Sequence, residues 1–549
     1  MGWPSIFHRP TPVYSLKMLF LDPRLLLVLT GIVPVLGRQA VFDSSERQWT
    51  TFPRPITRVA VIGAGPSGLQ AAAQLLAENL TVRLFERSPQ PGGTWHYTEN
   101  TPVRELYPGT IFNKTKGTPN VLPATTYYAE GEDGISLDDR WKEHWQPSPA
   151  WYDLHTNSPS INTDLPGVKY PANAPWAISV HDVQRHVRAY ASLHGINSND
   201  GPSLPSSERV ASYSTRVEKL EKCNSTATWT LTLRHMEWLP ESNRIKVRFW
   251  TETFDAVVVA TGLFTTPNVP TIKGIEGWSR AMEDGAFSMH HSQSYRHPER
   301  YAGKTVLLIG SSISATQIGR SIFPLAHRVF ASVRESKRHD RLKEVVKFAD
   351  QIEVVPEISF FEPLNENTIG IQAGRIHLCN GTTLQGIDMI ILATGYRANN
   401  FHPDVNPLTQ DNLHWTGHYI KDPTLAYSLV RPWSHGRYQA AGFAKVWTGK
   451  ARLPNQHQMW KEYKDYDFGS PLDVFPQEAL IRKYVAWLNA EALELGGQFV
   501  EPPPIEARET YAYFQNNLFK KEFVNHDNYT RFDNLPSNEW PSRVETLSW

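Results

Sequence analysis

The sequence has little cysteine: Cys223 and Cys379 are the two cysteines in 549 residues, and they form no C-x-x-C pattern. This excludes a redox dithiol and a cysteine-rich zinc site, whereas a disulfide between the two stays open. An excess of one charge is also missing, because 55 lysine and arginine residues balance 55 aspartate and glutamate residues. Without a basic excess, nothing indicates nucleic acid as a partner. No metal-ligand spacing stands out, so we predict no metal site.

Long apolar runs are scarce as well. The run from Leu25 to Leu36 is shorter than the about 20 residues that a membrane-spanning helix needs, and Pro34 interrupts it. Lys17 and Arg24 precede the run and a small residue follows it, which is typical of a secretory signal. We therefore expect a signal peptide in residues 1–37 and a place in the secretory pathway, with an uncleaved N-terminal anchor or a disordered tail as alternatives. Sequons compatible with that pathway begin at Asn79, Asn113, Asn224, Asn380 and Asn528.

The residues from Thr57 to Glu86 have the pattern of a nucleotide-binding unit. The apolar run after Thr57 predicts a parallel strand that is buried on both faces. Gly63, Gly65 and Gly68 then predict a tight turn, a close approach to a pyrophosphate and a helix packed against the strand. Glu86 follows the next strand, about 20 residues past the turn, where a carboxylate accepts hydrogen bonds from a ribose.

A second unit with the same plan occupies 305–338, with Ser332 and Arg334 near the place that Glu86 has in the first unit. A carboxylate favours a free ribose hydroxyl, whereas arginine neutralises a 2′-phosphate, so the exchange favours NADP over NAD. A solvated basic turn is the alternative. Small residues stand where the first unit has its three glycines: Gly310, Ser312 and Ala315.

The remaining patterns divide the chain further. Alternating residues in 210–250 predict antiparallel strands, and the irregular composition up to Trp145 predicts long loops around a cofactor. Buried strands ending in A-T-G occur before Gly262 and Gly395. At this length we expect two or more domains.

The order of these motifs resembles that of the flavin-containing monooxygenases. The motifs are GAGPSG at Gly63, GGTW at Gly92, Y-x-L-x-T-N-x-P ending at Pro159, the two A-T-G strands, HSQSY at His291 and GSSISA at Gly310. The resemblance implies an α/β fold with two dinucleotide-binding (Rossmann-like) domains, the NADP domain being inserted into the FAD domain. It also implies FAD and NADPH as cofactors, and a small molecule and O2 as substrates.

The resemblance, which covers the chain from about Val59 to Pro454, implies a FAD domain in 55–267, an inserted NADP domain in 268–388 and the second part of the FAD domain in 389–504. The apolar run adds a signal or anchor in 1–37, and the prolines from Pro502 to Pro504 mark the start of a C-terminal extension in 505–549. Membrane association through the N-terminal segment and a homodimer stay open.

The family's site residues are carried over onto matching positions. Asn157 is the catalytic candidate, because its amide can donate to the oxygenating group or hold the nicotinamide ribose; an Asn-Ser-Pro turn is the alternative. The cofactor-binding candidates are Gly63, Gly65, Pro66, Ser67, Gly68, Glu86, Arg87, Gly93, Thr94, Trp95, Thr156, Asn157, Thr261, Gly310, Ser312, Ser314, Ala315, Arg334, Thr394 and Gly395.

The chemistry implied is the reduction of FAD by NADPH, uptake of O2 as a C4a-hydroperoxyflavin, and oxygenation of a nucleophilic sulfur or nitrogen. A Baeyer-Villiger monooxygenase or an NADPH oxidase on the same scaffold is one alternative, although Tyr295 and Arg296 stand where the former has Trp-Pro. A non-catalytic flavin-binding protein is another, because Gly285 and Phe287 stand where the family has Phe and Gly.

Overall fold

The chain divides into two compact units, Met1–Trp49 and Thr50–Trp549, and every helix and strand described belongs to the second. The expected signal segment lies outside the described residues. The computed structural model describes residues 49–103, 117–171, 173–199, 210–283, 285–334, 351–365, 370–397, 400–407, 409–428, 432–465 and 474–514.

Helices and strands both occur along the described part of this unit, with several strands in succession after α3 and after α5. Up to Pro267 they are β1 (Arg58–Ile62), α1 (Pro66–Ala77), β2 (Thr81–Phe85), β3 (Ala124–Ala129), α2 (Leu137–Trp145), α3 (Val180–Leu193), β4 (Ala211–Ser212), β5 (Thr215–Cys223), β6 (Thr228–Leu239), β7 (Arg244–Phe254), β8 (Ala256–Val259) and β9 (Thr266–Pro267). The next are α4 (Ile275–Arg280), β10 (Met282–Glu283), β11 (Ala286–Phe287), β12 (Met289–His291), β13 (Thr305–Ile309), α5 (Ile313–Ile322), β14 (Arg328–Ser332), β15 (Glu353–Val355), β16 (Ile358–Phe361), β17 (Ile376–Leu378), β18 (Thr383–Leu384) and β19 (Met389–Leu392). The last are β20 (Tyr396–Arg397), β21 (Leu413–His414), β22 (His418–Tyr419), β23 (Leu425–Tyr427), α6 (Gly436–Trp447), α7 (Gln456–Asp465), α8 (Val474–Leu495) and α9 (Ile505–Tyr513).

A seven-stranded sheet carries the first nucleotide-binding unit, in the order β21-β22-β23-β8-β1-β2-β4. Strand β1 lies between β8 and β2 and is parallel to both, with Ile62 opposite Phe85 and Val259. Its side chains from Val59 to Ile62 are buried, as the apolar run predicts. Because the three strands run in parallel, the turns that follow them meet at one edge of the sheet.

An apolar core covers one face of this sheet. Helix α1 brings Leu69 and Leu75 to it, α3 brings Val183 and Val187, and α6 brings Phe443, all fully buried. Helix α1 follows β1 in the chain and packs on α6. This packing fixes where α1 begins relative to the sheet edge.

A four-stranded antiparallel sheet, β3-β7-β6-β5, lies beside the parallel sheet. Its last three strands confirm the alternation predicted in 210–250. The prediction of long loops up to Trp145 is wrong in part, because β3 and α2 form there. Tyr127 and Tyr128 of β3 pair with Lys246 and Ile245 of β7, a partner more than 100 residues away that the local composition does not show.

A five-stranded parallel sheet, β12-β19-β13-β14-β15, carries the second unit. Strand β13 has a buried run from Val306 to Ile309, and Ile309 lies opposite Ser332 of β14. The predicted fold, α/β with one dinucleotide-binding domain inserted into another, is confirmed.

The second A-T-G strand belongs to the inserted sheet. Strand β19 pairs in parallel with β13 and β12, so Met389 does not begin the second part of the first domain, and the boundary expected after residue 388 is wrong. The similarity of the two A-T-G endings reflects the same role in each sheet, as the strand next to the nucleotide turn. The chain leaves the inserted sheet after Leu392.

The two connections between the sheets run side by side. Thr266 and Pro267 of β9 pair in antiparallel fashion with Arg397 and Tyr396 of β20. Asn268 strengthens this ribbon, because its backbone NH donates to the carbonyl oxygen of Gly395 at 2.9 Å. The chain therefore enters and leaves the inserted domain at one place.

Helices α8 and α9 close the described part of the chain. Helix α8 packs on α6, and α9 begins directly after Pro504, where the proline run predicts a boundary. In the ranges that the structure describes, no helix combines the length and the apolar character that crossing a bilayer requires.

Candidate active site

Gly63 and Gly68, in the turn after β1, leave no room for a side chain. A Cβ added to Gly68 would lie 1.9 Å from the carbonyl oxygen of Gly63, and Gly63 itself has a φ of +103°. A Cβ on Gly63 would lie 2.6 Å from the carbonyl oxygen of Ala260 and 3.5 Å from Cα of Thr261. The first turn and the end of β8 are thus in direct backbone contact, which places the predicted Thr261 at the site.

The start of α1 is open to an anion. Gly65 is the residue before the helix and Pro66 opens it; no side chain caps this end and no acid stands in the first turn. Backbone amides of the first turn, beginning with Ser67, therefore remain as donors, and the helix dipole favours a negative group there.

The glycine-rich loop after β2 forms the opposite wall. A Cβ on Gly93 would lie 2.8 Å from Cα of Gly65, whereas a Cβ on Gly65 would lie 3.6 Å from Cα of Gly93. Gly93, Thr94 and Trp95 form one short 3₁₀ turn, and the Trp95 ring meets Trp433 edge to face with 5.3 Å between centroids. The loop after β2 thus lies directly against the residue before α1, and the glycines leave the backbone there open to the close approach of a pyrophosphate.

Glu86 lies at the end of β2, beside the turn. One oxygen of its buried carboxylate accepts from the backbone NH of Ala64 at 2.6 Å, and the other accepts from that of Ser88 at 2.8 Å. Each oxygen keeps a lone pair for a ribose hydroxyl. Burial raises the pKa of this carboxyl above its ordinary value, against the opposing effect of the two backbone bonds.

The next residue, Arg87, turns away from Glu86 toward other loops. Its guanidinium donates to the side-chain oxygens of Gln146 and Thr265, the latter at 3.3 Å. Burial lowers its pKa to about 10, so it remains charged at neutral pH. The predicted cofactor contact of Arg87 stays a prediction, and its hydrogen bonds connect the turn to the segment before β9.

Buried polar atoms near the turn suit a polar ligand. Within the described residues, Gln70 Oε1 and Trp433 Nε1 are buried without a hydrogen-bond partner, while Gln70 Nε2 donates to the carbonyl oxygens of Pro66 and Trp433 at 3.0 Å each. Buried polar atoms are normally paired, so such atoms beside an open helix start fit a polar cofactor. The residues present therefore fit FAD.

The second turn repeats this geometry. Gly310 has a φ of +129°, and a Cβ there would lie 2.3 Å from the carbonyl oxygen of Ala393. The side chain of Ser312 makes no hydrogen bond to the helix start of α5, and no acid stands in the first turn. Ser314 is half-buried in that turn, and Ala315 is fully buried against the sheet. Small residues thus replace glycine without blocking the helix start.

Strand register identifies the residue at the place of Glu86 in the second domain. Because Ile309 lies opposite Ser332 as Ile62 lies opposite Phe85, the residue that corresponds to Glu86 is Val333. Val333 is buried, and the Ser332 hydroxyl donates to the carbonyl oxygen of Pro356 at 3.0 Å. A carboxylate for a free ribose is absent at this position, and the side chain of Arg334 is exposed next to it. The residues fit NADPH.

Thr156 and Asn157 lie on a loop between the two domains. The Thr156 hydroxyl accepts from the backbone NH of Ile178 at 2.9 Å and donates to the carbonyl oxygen of Ser158 at 2.8 Å. These bonds fix the loop on both sides of Asn157, whose side chain is exposed. Thr156 therefore acts in the structure as a support for the loop.

The same loop contacts helix α5 of the inserted domain. The Ser321 hydroxyl donates to the carboxylate of Asp153, and Gln317 Nε2 donates to the carbonyl oxygen of His155 at 3.5 Å. Both helix residues stand on α5, which begins at the second nucleotide turn. Asn157 is thus held on a segment that is bonded to both nucleotide-binding domains.

His291 and the second A-T-G segment are in contact where the two connections between the sheets run side by side. The His291 Nε2 donates to the carbonyl oxygen of Gly395 at 3.0 Å, and its Nδ1 accepts from the backbone NH of Gln293 at 3.1 Å. The Thr394 hydroxyl donates to the carbonyl oxygen of Asn268. Burial lowers the pKa of His291 to about 4, so the ring is neutral.

Arg296 was not among the predicted site residues. Its buried guanidinium donates to five carbonyl oxygens and so ties together three loops of the chain. Burial lowers its pKa to about 10. Its position directly after the HSQSY motif was the one sign in the sequence that it has a role. Its acceptors are backbone carbonyl oxygens, and a sequence does not show which of these lie near a side chain. The acceptors are Thr98, Asn100, Ser148, Gln293 and Tyr295.

Comparisons with known proteins agree with this geometry. A family model described as flavin-binding monooxygenase-like matches residues 214–344, and one described as an NAD(P)-binding Rossmann-like domain matches residues 61–125. The flavin-containing monooxygenase iboF of Amanita muscaria is 32% identical, over 90% of this chain and 99% of its own. The thiol-specific monooxygenase of Saccharomyces cerevisiae is 27% identical, over 71% of this chain and 76% of its own.

A solved structure shows the same fold. The S-allyl-L-cysteine S-oxygenase from Allium sativum has a TM-score of 0.58 and 20% identity, and the match covers 86% of this chain and 97% of that one. The likeness therefore includes the inserted domain as well as the first nucleotide-binding unit.

Proposed function

The chain belongs to the flavin-containing monooxygenase family, and on that premise we propose that it uses NADPH and O2 to oxygenate a nucleophilic sulfur or nitrogen of a small molecule. The predicted cofactors FAD and NADPH, and the predicted flavin-dependent monooxygenase class, are confirmed by this membership. The choice of sulfur or nitrogen, and the dependence of turnover on NADPH, belong to the proposal.

The observation that carries the proposal is the loop of Asn157. It is bonded to α5 through Asp153 and His155 and to the first domain through Thr156. A group on this loop is positioned relative to both nucleotide turns, which is what an electron transfer from one nucleotide to the other requires.

Each domain would hold one cofactor. FAD would lie along Gly63, Gly65 and the start of α1, with its ribose at Glu86, and the bound flavin supplies the activation of O2. NADPH would lie at Gly310 and the start of α5, with its 2′-phosphate at Arg334.

The other side chains of the site position these groups. Asn157 would donate its amide toward the reacting centre or the nicotinamide ribose, and its own loop would keep it in place. Trp95 and Trp433, which meet edge to face, form an apolar wall beside the first turn that excludes water. Arg296 ties its three loops together through backbone carbonyl oxygens and takes no part in the reaction.

Product analysis tests the proposal directly. Purified protein should be yellow and should consume NADPH in the presence of a thioether or an amine, and ¹⁸O₂ should label an S-oxide or N-oxide. An ester formed from a ketone would favour a Baeyer-Villiger reaction, and hydrogen peroxide without oxygenated product would favour an oxidase. Background NADPH consumption with every substrate would support a flavin-binding protein without turnover.

Substitution of Asn157 tests its role. Since the side chain is exposed, Asn157→Ala should fold and keep FAD, and it should lower the rate of oxygenation about tenfold through the loss of one hydrogen bond. Ser158→Ala, on the same loop, is the matched control and should leave the rate near that of the wild type.

A further inference from the structure

Helix α9, the last helix that the structure describes, lies on two segments of the first domain. One is the 3₁₀ turn Ser160–Asn162, on which α9 packs. The other contains Trp176, whose ring contacts Tyr513 of α9 and Phe514 directly after it, with 5.7 and 6.4 Å between the ring centroids. Helix α9 thus rests on the first domain at two separate places.

Both segments adjoin the Asn157 loop. The turn at Ser160 begins three residues after Asn157, and Trp176 stands two residues before Ile178. The backbone NH of Ile178 donates to the Thr156 hydroxyl at 2.9 Å, and its carbonyl oxygen accepts from the backbone NH of Thr156 at 2.9 Å. Helix α9 therefore contacts the segment that follows Asn157 as well as the segment that holds Thr156.

An ion pair fastens the first half of α9 to α8. The Glu478 carboxylate is buried and accepts from Nε of Arg508 on α9 at 2.8 Å and from Nε of Arg482 on α8 at 2.7 Å. Charge-assisted hydrogen bonds of this kind fix geometry as well as adding stability. Helix α9 is thus anchored near its start, and its end carries the contact with Trp176.

The rings at Trp176 carry most of the hold of α9 on the first domain. The buried side chains within α9 itself are those of Ala507 and Ala512. Stabilisation by burial follows the apolar area removed from water, so two methyl groups contribute little. An aromatic contact contributes more, through its larger area and its ring geometry.

We propose that α9 holds the Asn157 loop in the position that oxygenation requires, and that Tyr513 is a positioning residue that acts on Asn157 through Trp176. The inference rests on the proposed function for the reaction itself. When Trp176 loses its ring partner, Ile178 shifts with it and the two hydrogen bonds to Thr156 loosen. Asn157 then occupies more positions, and fewer of them suit the reaction.

Hydrogen exchange tests this support without turnover. In the FAD-loaded enzyme without NADPH, Tyr513→Ala should speed exchange of the Thr156 and Ile178 amides about two- to tenfold, the range expected for the loss of one aromatic pair. Tyr513→Phe keeps the ring and should restore slow exchange. Ile505→Ala, at a position of α9 that is 59% exposed, is the matched control and should exchange like the wild type. Unchanged exchange in Tyr513→Ala overturns the inference.

Kinetics locate the effect at Asn157. Tyr513→Ala should lower kcat for oxygenation about two- to tenfold and leave KM for NADPH unchanged, and Tyr513→Phe should restore kcat. In the Asn157→Ala background the same substitution should have no further effect, because the group that it positions is gone. Equal losses in both backgrounds show that Tyr513 acts elsewhere, and the inference fails.

A second variant tests the contact from the other side. Trp176 is half-buried, so Trp176→Leu should fold, and it should lower kcat as much as Tyr513→Ala does. Because the two rings form one contact, the combined variant should lose no more than the more affected single variant. Additive losses mean that the rings act separately, which overturns the inference.

The two readouts separate this inference from the proposed function. If thioethers or amines are oxygenated while Tyr513→Ala changes neither exchange nor kcat, the proposed function stands and the role of α9 is wrong. If Tyr513→Ala speeds exchange of the Thr156 and Ile178 amides but no thioether or amine is oxygenated by the wild type, the support by α9 stands and the proposed function fails.

Discussion

The imidazole of His291 donates to the carbonyl oxygen of Gly395 at 3.0 Å and so joins the first strand of the inserted sheet to the segment by which the chain leaves it. The donor nitrogen needs its proton, while the other ring nitrogen accepts from Gln293. The two bonds together therefore require the neutral ring, because acid would put a proton on Nδ1 and remove the acceptor of the Gln293 NH.

Because of His291, the free energy of unfolding should decrease as the pH is lowered. Burial lowers the pKa of this residue from 6.5 to about 4, so between those values the unfolded chain binds more protons than the folded one. The contribution is complete above pH 6.5 and is lost as the pH falls toward 4. The free energy of unfolding, measured with denaturant at pH 5 and at pH 6.5, should change with pH by about 1 kcal/mol per pH unit less in His291→Gln than in the wild type. His327→Gln, at an exposed position, should keep the wild-type slope.

Substitution of two glycines of the first turn by alanine should have different effects. At Gly68, an alanine Cβ would meet the carbonyl oxygen of Gly63 at 1.9 Å, so Gly68→Ala should lower the melting temperature of the apoprotein. At Gly65 the φ of −75° suits any residue, and the nearest atom to a Cβ is 3.6 Å away. Gly65→Ala should therefore fold as apoprotein and lose FAD, because the methyl group stands in the predicted pyrophosphate site. Absorbance at 450 nm and thermal melting separate the two, and an FAD-replete Gly65→Ala enzyme would contradict this placement.

Arg334 should discriminate NADPH from NADH. Loss of a charge-assisted contact to phosphate costs about 1.5 to 3 kcal/mol, so Arg334→Ala should raise KM for NADPH by roughly ten- to a hundredfold. KM for NADH and the FAD content of the enzyme should be unaffected. Arg328→Ala is the control, because that exposed arginine lies at the start of β14, the strand that leads to Arg334, and pairs with Glu353. If NADH and NADPH weaken equally, Arg334 has a structural role.

Passage through the secretory pathway predicts glycans at particular turns. Asn224, between β5 and β6, and Asn380, between β17 and β18, are exposed and begin sequons. Protein expressed in a eukaryotic secretory host should begin near Arg38 and lose mass at these two sites on treatment with a glycosidase. An intact N-terminus with both asparagines unmodified would refute the prediction.

Local patterns predicted the two nucleotide turns, because each is a contiguous strand, turn and helix whose glycines or small residues are set by steric contact. Gly63 and Gly310 both show this: each is forced by a carbonyl oxygen from the neighbouring A-T-G strand. Glu86 followed from its distance along the chain. These features depend on short-range geometry that a sequence contains.

Other features depend on pairing between distant residues. Val333 is identified as the counterpart of Glu86 by strand register, and β19 joins the inserted sheet by pairing with β13. The five carbonyl groups around Arg296 and the pairing of Glu478 with Arg508 likewise join residues that are far apart in sequence. The spacing of motifs along the chain does not show which distant residues meet, so these contacts could not be predicted from the sequence.

The ribbon formed by β9 and β20 makes the inserted domain a separable module. Its entry and exit strands are hydrogen-bonded neighbours, so the gap left by removing 268–395 is already closed in space. A short turn joining Pro267 to Tyr396 would let the first domain keep its own sheet and glycine turn, and the excised segment could be produced as a protein with adjacent ends. The domain predicted to bind FAD and the domain predicted to bind NADPH could then be studied as independent molecules.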